Sequence, residues 1–157
     1  MTFHINDQPV HALADSGSYF SILPFQTFKQ LNLKEKDLDK SQQYSIHSAT
    51  EVKSNAVLGT INLSIYIKNV DESRQKLTQK FLILRPECSL NLTLLGHDFF
   101  TKNEAKLIYK SSGLSLLLND IYVQTGNELT NSTFYIKHAH FPQPDMNANQ
   151  QDPESSI

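Results

Sequence analysis

Alternating apolar and polar residues place the strongest constraint on what this chain can fold into. Over residues 61–68, every second position is Ile or Leu. Successive side chains of a strand point to opposite faces, so the pattern predicts a half-buried β-strand. Residues 2–5, 10–14 and 81–84 are also strand-like. The sequence therefore predicts an all-β or mainly β domain.

Two turn signals predict β-hairpins. Residues 6–9 read Asn-Asp-Gln-Pro and separate the first two strand-like stretches. Residues 111–113 read Ser-Ser-Gly and separate strand-like residues 106–109 from 114–118. The polar, charged segment at residues 69–80 is interpreted as a long hairpin loop.

Helical signals are few and short. Pro24 suits the first position of a helix, and Phe25, Phe28 and Leu31 then fall on one face. A second short helix is predicted at residues 97–104. One or two short helices in a mainly β domain are therefore expected.

Length and composition fit one domain followed by a tail. The 157 residues are 39% apolar and 19% charged, which is enough apolar material for one core. From about Gly126 the chain is rich in Asn, Gln, Ser, Thr and Pro. Residues 1–125 are therefore predicted as the domain, and residues 126–157 as a partly disordered tail or linker, in which residues 134–136 resemble a last strand.

Charge and cysteine content argue against several classes of function. Fourteen Lys and Arg against 16 Asp and Glu give a net charge of −2, which disfavours non-specific nucleic-acid binding. The single Cys88 excludes an intrachain disulfide and a cysteine-rich zinc site. No membrane span or secretory signal is recognisable. We expect no metal or other cofactor and neither a nucleic-acid nor a membrane partner.

An Asp-Ser-Gly tripeptide at residues 15–17 is the first candidate for chemistry. A strand-like run ends at Asp15, so its carboxylate follows the end of a strand. Simple turns prefer the same three residue types, so the tripeptide alone fits either a turn or a site. Residues 92–100 are a second candidate: an apolar strand, then Gly96, then the start of a helix. The two motifs in this order, with β-rich sequence between them, are much less common than either alone.

Together the motifs resemble the retropepsin-type aspartic proteases of retroviruses and LTR retrotransposons. Residues 13–18, Leu-Ala-Asp-Ser-Gly-Ser, are similar to the active-site loop of that family. Residues 94–98, Leu-Leu-Gly-His-Asp, are similar to its second signature. The resemblance covers residues 2–118 and is better to the retrotransposon branch, because a strand pair follows the second motif. It implies a closed, β-barrel-like fold.

The resemblance implies an aspartic endopeptidase that is active as a symmetric homodimer. Two carboxylates a few Å apart share one proton, so one activates water and the other protonates the scissile carbonyl oxygen. The chain has one Asp-Ser-Gly tripeptide, so a second Asp15 must come from another copy. The implied substrate is a Gag-Pol-type polyprotein, cleaved in the cytoplasm or in a virus-like particle.

Roles for individual residues also follow from the resemblance. Asp15 is the implied catalytic residue, supported by Ser16 and Gly17. The hydroxyl of Ser16 takes the place of the usual Thr and would hydrogen-bond across the dimer axis. Ser18 is a candidate substrate contact.

Two further segments take their roles from the resemblance. The structural motif consists of Leu94, Leu95 and Gly96, where Gly96 would let the second strand cross tightly beneath the active-site loop. The flap, a hairpin that folds over the substrate, matches residues 44–52 and has no glycine. Candidate substrate contacts near its tip are Ser48, Ala49 and Thr50.

Two alternatives stay open at the level of sequence. The fold could be a catalytically silent binding or dimerisation module, which the missing flap glycines and the polar segment would suit. The other alternative is an unrelated β-barrel or β-sandwich in which the two motifs occur by chance. The distance between Asp15 and residues 94–96 separates the family from chance, and the oligomeric state helps to separate an enzyme from a silent module.

Overall fold

A computed structural model describes residues 1–47, 52–53 and 55–125 of the chain. Strands are the main regular structure of this part, as the alternating pattern predicts. The strands are β1 (Thr2–Ile5), β2 (Gln8–Ala14), β3 (Ile22–Leu23), β4 (Ile46–His47), β5 (Val52–Lys53), β6 (Val57–Lys68), β7 (Arg74–Leu84), β8 (Thr93–Leu95), β9 (Lys106–Lys110), β10 (Gly113–Leu118) and β11 (Ile121–Tyr122). The helices are α1 (Phe25–Gln30), α2 (His97–Lys102) and a 3-10 turn at Glu35–Asp37.

Six strands close a barrel in the order β1, β2, β8, β3, β7, β6. The pairs β2–β8 and β3–β7 are parallel, and the other neighbours in the barrel are antiparallel. This confirms the prediction of a mainly β, closed barrel with short helices. Strand β3, which joins β8 to β7, was not recognised in the sequence because it is only two residues long.

The predicted first hairpin is present, with a shorter turn than residues 6–9. Strands β1 and β2 pair with Phe3 opposite Val10, and the pairing continues to Ile5 opposite Gln8. Only Asn6 and Asp7 lie between the strands, with φ of 49° and 61°. Two consecutive positive φ angles are the geometry of a tight two-residue hairpin turn, which Asn and Asp tolerate best.

The prediction of a long loop at residues 69–80 is wrong. Strands β6 and β7 pair from Val57 opposite Leu84 to Lys68 opposite Arg74, so only the turn at residues 69–73 remains. Along the misread part of β7, the outward positions are exposed, whereas inward Leu77 and Gln79 are buried and inward Gln75 is half-buried. Two of these three inward residues are the polar Gln75 and Gln79, and this hides the period of two.

One core joins the barrel interior to both helices. Helix α1 buries Phe28, and helix α2 buries Phe99. The rings of Phe3 and Phe81 stack at 6.0 Å and belong to the same core cluster as Phe28 and Phe99. Each such ring contributes about 2–3 kcal/mol to stability when it is removed from water. Both helices are therefore fixed to the barrel by a phenylalanine.

The helix boundaries differ slightly from the prediction. Pro24 is the N-cap of α1, one position before the helix, and its extended conformation starts the turn. Helix α2 ends at Lys102, before the predicted end at residue 104. The next residue, Asn103, closes the helix because its side-chain amide donates to the Phe99 carbonyl at 2.9 Å.

The predicted hairpin after the second motif is present. Strands β9 and β10 pair with Lys110 opposite Gly113, and β11 adds a third strand. Gly113 has φ of 131°, a conformation that side chains other than glycine rarely adopt. The tail at residues 126–157 and its strand-like residues 134–136 lie outside the described residues. The division after residue 125 stays a prediction. No helix in the described part of the chain is long and apolar enough to cross a membrane.

Candidate active site

Asp15 lies at the end of β2, where β8 fixes its position. In the parallel pair, Ala14 is opposite Leu95. The amide N–H of Asp15 donates to the carbonyl oxygen of Leu95 at 2.9 Å. Asp15 is only 4% exposed. The parallel pairing of β2 with β8 therefore fixes the position of Asp15 at the start of the loop that follows β2.

A tight loop orients the Asp15 carboxylate. The amide of Gly17 donates to Asp15 Oδ1 at 3.0 Å. The amide of Ser18 donates to the Asp15 carbonyl oxygen at 3.1 Å. Hydrogen bonds to an ionised carboxylate are stronger than those between neutral groups. The loop backbone thus holds Oδ1 in place while Ser16 and Gly17 stay exposed.

Gly96 makes a close contact between the second motif and the loop. A Cβ atom at this position would lie 2.5 Å from the Phe20 carbonyl oxygen and 2.7 Å from that of Ser18. Both neighbours are backbone atoms, so neither can rotate away. Only glycine fits where β8 passes into α2. The structure therefore brings Gly96 directly against the chain that follows Asp15.

The start of α2 holds the same stretch by two hydrogen bonds. The amide of His97 donates to the Ser18 carbonyl at 2.7 Å, and the amide of Asp98 donates to the Tyr19 carbonyl at 3.2 Å. Residues 18 and 19 thus satisfy amides at the helix start that have no partner within the helix. The loop and α2 form one connected unit.

A polar network with buried Ser21 and Gln79 and half-buried Asp98 lies beneath this unit, and the sequence analysis missed it. Ser21 Oγ donates to Asp98 Oδ1 at 2.8 Å and accepts from the amide of Gly96 at 3.0 Å. Gln79 Nε2 donates to Asp98 Oδ2 at 2.9 Å. The amide of Phe99 also donates to Asp98 Oδ1, at 2.8 Å. The network ties Gly96 to the barrel wall.

Two signals in the sequence could have revealed the network. Ser21 precedes Ile-Leu-Pro in an otherwise apolar stretch and is fully buried. Gln79 interrupts the inward apolar positions of β7 and is 2% exposed. Buried polar side chains need partners, so each of them points to a bonded group nearby. Among the described side chains, the Gln79 Oε1 atom is buried with no hydrogen-bond partner.

Part of the predicted flap, residues 44–52, lies in an antiparallel strand pair. Ile46 pairs opposite Lys53, which joins β4 to β5 in an antiparallel pair. The predicted tip residues Ser48, Ala49 and Thr50 lie outside the described residues. Ser18, the other predicted substrate contact, is half-buried in the loop.

The arrangement supplies one oriented carboxylate, that of Asp15, which forms no ion pair within residues 1–47, 52–53 and 55–125. Asp98, the acidic residue of the second motif, already accepts three hydrogen bonds. One carboxylate alone cannot be base and acid at the same time. In the described part of the chain, no group of three or more His, Cys, Asp or Glu residues could hold a metal ion.

The sequence of this chain matches a known protein family. The model of a family described as "gag-polyprotein putative aspartyl protease" matches residues 1–102, which include both motifs. A search of curated proteins gave no match.

Matches among solved structures include three proteases or protease-like domains. The retroviral protease-like domain of Ddi1 from Leishmania major is 19% identical over 82% of this chain and 94% of its own, with a TM-score of 0.55. The EIAV protease complexed with the inhibitor HBY-793 is 23% identical over 69% and 89%, with a TM-score of 0.45. A retropepsin-like aspartic protease from Rickettsia conorii is 14% identical over 78% and 79%, with a TM-score of 0.48. At 19% identity, the likeness to the Ddi1 domain is one of fold.

Proposed function

Because the chain belongs to the gag-polyprotein aspartyl protease family and has a retropepsin-like barrel, we propose that it is a homodimeric aspartic endopeptidase. The observation that carries the proposal is the Asp15 carboxylate, held by the Gly17 amide at 3.0 Å on a loop that is itself fixed to Leu95. Family and fold support an aspartic protease, and peptide-bond cleavage by this chain is what we propose.

The dimer is proposed because the chemistry needs a second carboxylate. Asp98 cannot supply it, since three hydrogen bonds hold its oxygens inside the network. A twofold axis beside the loop would bring together the same residue from two copies. Two Asp15 side chains would then form the catalytic pair.

In the proposed mechanism, the two Asp15 carboxyl groups share one proton. The ionised carboxylate removes a proton from a water molecule, whose oxygen bonds to the scissile carbonyl carbon. The protonated carboxyl donates its proton to the carbonyl oxygen. The C–N bond then breaks as a proton passes to the leaving nitrogen. The fixed Asp15 loop suits this chemistry because preorganised groups need no rearrangement during reaction.

The proposed substrate is an extended segment of a Gag-Pol-type polyprotein, cleaved in the cytoplasm or in a virus-like particle. The family description names a gag polyprotein, which supports this class of substrate. An extended peptide would lie as a strand between the β4–β5 hairpin and the loop of Asp15.

The proposal is tested by cleavage of a mixed peptide library at about pH 4 to 6. The assay is run at several protein concentrations, with and without pepstatin, beside the Asp15→Asn variant. We expect activity that rises faster than linearly with concentration, that pepstatin blocks and that Asp15→Asn lacks.

The opposite result is also defined. A correctly folded dimer, established by sedimentation, that cleaves no peptide would contradict the proposal. It would favour the alternative of a catalytically silent binding or dimerisation module.

A further inference from the structure

A row of basic side chains lies on the outer face of the paired strands β6 and β7. On β7, the outward positions include Arg74, Lys76 and Lys80, and all three residues are exposed. On β6, exposed Lys68 is opposite Arg74. None of the outward residues in the two paired stretches, residues 62–68 and 74–80, is acidic. We call this outward surface the basic face.

The net charge of the whole chain conceals the basic face. The prediction of no nucleic-acid partner depends on a net charge of −2, which is summed over all 157 residues. Positive charge that is gathered on one face still attracts a polyanion. Lys68 forms an ion pair with Glu72 in the adjoining turn. Arg74 and Lys76 form no ion pair in the part of the chain that the structure describes, so their charges are available to a ligand.

One further cation and one anion flank the basic face. Lys102 Nζ donates to the Thr78 carbonyl oxygen at 2.7 Å, so α2 adds a positive charge beside β7. Asp39 lies within electrostatic reach of Lys80 and offsets part of its charge. The positive charge is therefore least compensated along residues 74–78.

The spacing of the cations suits a regular polyanion. Alternate residues of an antiparallel strand are about 6.8 Å apart, so Arg74 and Lys76 present two charges at that separation, and Lys80 lies about 14 Å farther along β7. A nucleic-acid strand has one negative charge on every nucleotide. Its backbone can therefore follow β7 and contact these cations in turn.

An aromatic residue, Tyr66, lies in the middle of the basic face. Its partner on β7 is Lys76 and its partner on β1 is His4, so these three residues cross the sheet in one row. Tyr66 is half-buried, which anchors the side chain and leaves part of it accessible. Proteins that bind single-stranded nucleic acid combine a positively charged surface with aromatic rings on which bases stack. An acidic peptide needs no such ring, so the combination favours a nucleic acid.

Neutral polar side chains complete the basic face and favour RNA over DNA. Asn62, Ser64 and Thr78 are exposed at outward positions, and Ser64 is opposite Thr78. Hydroxyl and amide groups can both donate hydrogen bonds to a 2′-hydroxyl and accept them from it. The 2′-hydroxyl is the group by which a protein distinguishes RNA from DNA.

We propose that the basic face binds single-stranded RNA, with phosphates beside Arg74 and Lys76 and one base stacked on Tyr66. This site is separate from the candidate active site. The row of Tyr66 continues across β1 to Pro9 of β2, which precedes Asp15 by six residues. Six residues of an extended strand span about 20 Å. RNA on the basic face therefore leaves the Asp15 loop free, and its binding does not depend on peptidase activity.

Fluorescence anisotropy with labelled oligo(U) of about 12 nucleotides tests the proposal. The full chain is titrated near neutral pH at several salt concentrations and is compared with the variants Arg74→Ala, Lys76→Ala, Tyr66→Ala, Tyr66→Leu and Tyr66→Phe. Tyr66→Leu keeps apolar bulk without the ring, in case Tyr66→Ala is poorly folded. The control is Lys36→Ala, because Lys36 is an exposed lysine in the 3-10 turn at Glu35–Asp37, outside the basic face.

We expect the wild type to bind oligo(U) with a dissociation constant of about 1–100 μM at physiological salt. About three phosphate contacts give a slope of about −2 when the logarithm of the association constant is plotted against that of the salt concentration. Arg74→Ala and Lys76→Ala should each make this slope less steep by about 0.7. Lys36→Ala should leave both the slope and the affinity unchanged.

The Tyr66 variants separate stacking from charge. Tyr66→Ala and Tyr66→Leu should weaken binding about tenfold with the salt slope unchanged, because a stacked base is lost and no phosphate contact is. Tyr66→Phe keeps the ring and should bind as the wild type does. Oligo(dU), which lacks the 2′-hydroxyl, should bind about fivefold more weakly, the size of one hydrogen bond.

Three results would overturn the proposal. The first is no binding of oligo(U) at low salt, or binding that Arg74→Ala and Lys76→Ala leave unchanged. The second is equal binding of oligo(U) and oligo(dU), which would remove the assignment to RNA. The third is a labelled poly-glutamate peptide of the same charge that binds as tightly as oligo(U), with no effect of Tyr66→Leu on either ligand. The basic face would then be a site for an acidic protein segment.

Discussion

The amide N–H of Asp15 donates to the carbonyl oxygen of Leu95 across 2.9 Å, and this bond joins the two sequence motifs. It extends the parallel ladder of β2 and β8 by one residue into the loop. The second motif therefore fixes the end of β2, the strand that leads into the first motif. The carboxylate that follows is placed by residues distant in sequence, so a change in either motif should alter the site.

Gly96→Ala tests this connection most directly. The new methyl group would meet two backbone carbonyl oxygens at 2.5 and 2.7 Å, so the loop or the start of α2 must move. We expect a loss of about 3 kcal/mol in the free energy of unfolding, measured by urea denaturation. Asn62→Ala, at an exposed position of β6, is the control and should be nearly neutral. A stable Gly96→Ala protein would contradict the close contact.

Ser21→Ala should weaken the buried network. Ser21 Oγ accepts from the Gly96 amide at 3.0 Å and donates to Asp98 Oδ1 at 2.8 Å. In the variant, the Gly96 amide and the Asp98 carboxylate each lose this hydrogen bond. A buried amide left without a partner costs about 1–3 kcal/mol. The same change at Ser64, which is exposed on β6, is the matched control.

A double-mutant cycle separates the network from simple packing. Ser21→Ala and Asp98→Ala should be strongly non-additive in urea denaturation, since each removes the same hydrogen bond. Additive losses would mean that the two side chains act independently.

Ser16 variants test the proposed contact across the dimer axis. Ser16 is exposed in the single chain, which leaves its hydroxyl accessible to a partner. Ser16→Ala should raise the dissociation constant of the dimer about tenfold, because two symmetric hydrogen bonds are lost. Ser16→Thr keeps the hydroxyl and should retain the dimer. Analytical ultracentrifugation measures both, and equal constants for Ala and Thr would argue against the contact.

The turn between β6 and β7 should make stability depend on pH. Hydrogen bonds from the Ser73 side chain and backbone lower the pKa of Asp71 below its ordinary value of 3.8. The folded pKa is therefore below the unfolded one, so this carboxylate stabilises the fold above the unfolded pKa. That contribution is lost as the pH falls through the folded pKa.

Asp71→Asn should accordingly lower the melting temperature at pH 7, by a small amount because the side chain is exposed. The gap to the wild type should narrow as the pH is lowered to about 3. Ser73→Ala removes the largest cause of the pKa shift and also the hydrogen bond that Asn69 Nδ2 donates to Ser73 Oγ at 2.8 Å, so its gap should narrow without closing. A gap that stays constant from pH 7 downward would contradict this assignment.

Local patterns in the sequence determined the class of fold and the location of the candidate site. The alternation at residues 61–68 appears as the long strand β6, and the turn residues Asn6 and Asp7 carry the positive φ that their side chains favour. The Asp-Ser-Gly tripeptide and the Gly96 motif could be recognised because each has its own residue types at a fixed spacing. These are short-range properties, and a sequence displays them directly.

Only the tertiary structure decided which residues that are distant in the sequence come into contact. Gln79 is polar, and only the pairing of β6 with β7 and the Asp98 carboxylate explain why it points inward. Ser21 meets Asp98 across 77 positions, which no local pattern encodes. The edge-to-face contact of the Phe20 and Tyr44 rings at 5.4 Å also requires the fold, because no local pattern joins these two residues. Propensity and periodicity act over a few residues, whereas burial and hydrogen bonding depend on which distant groups the closed barrel brings together.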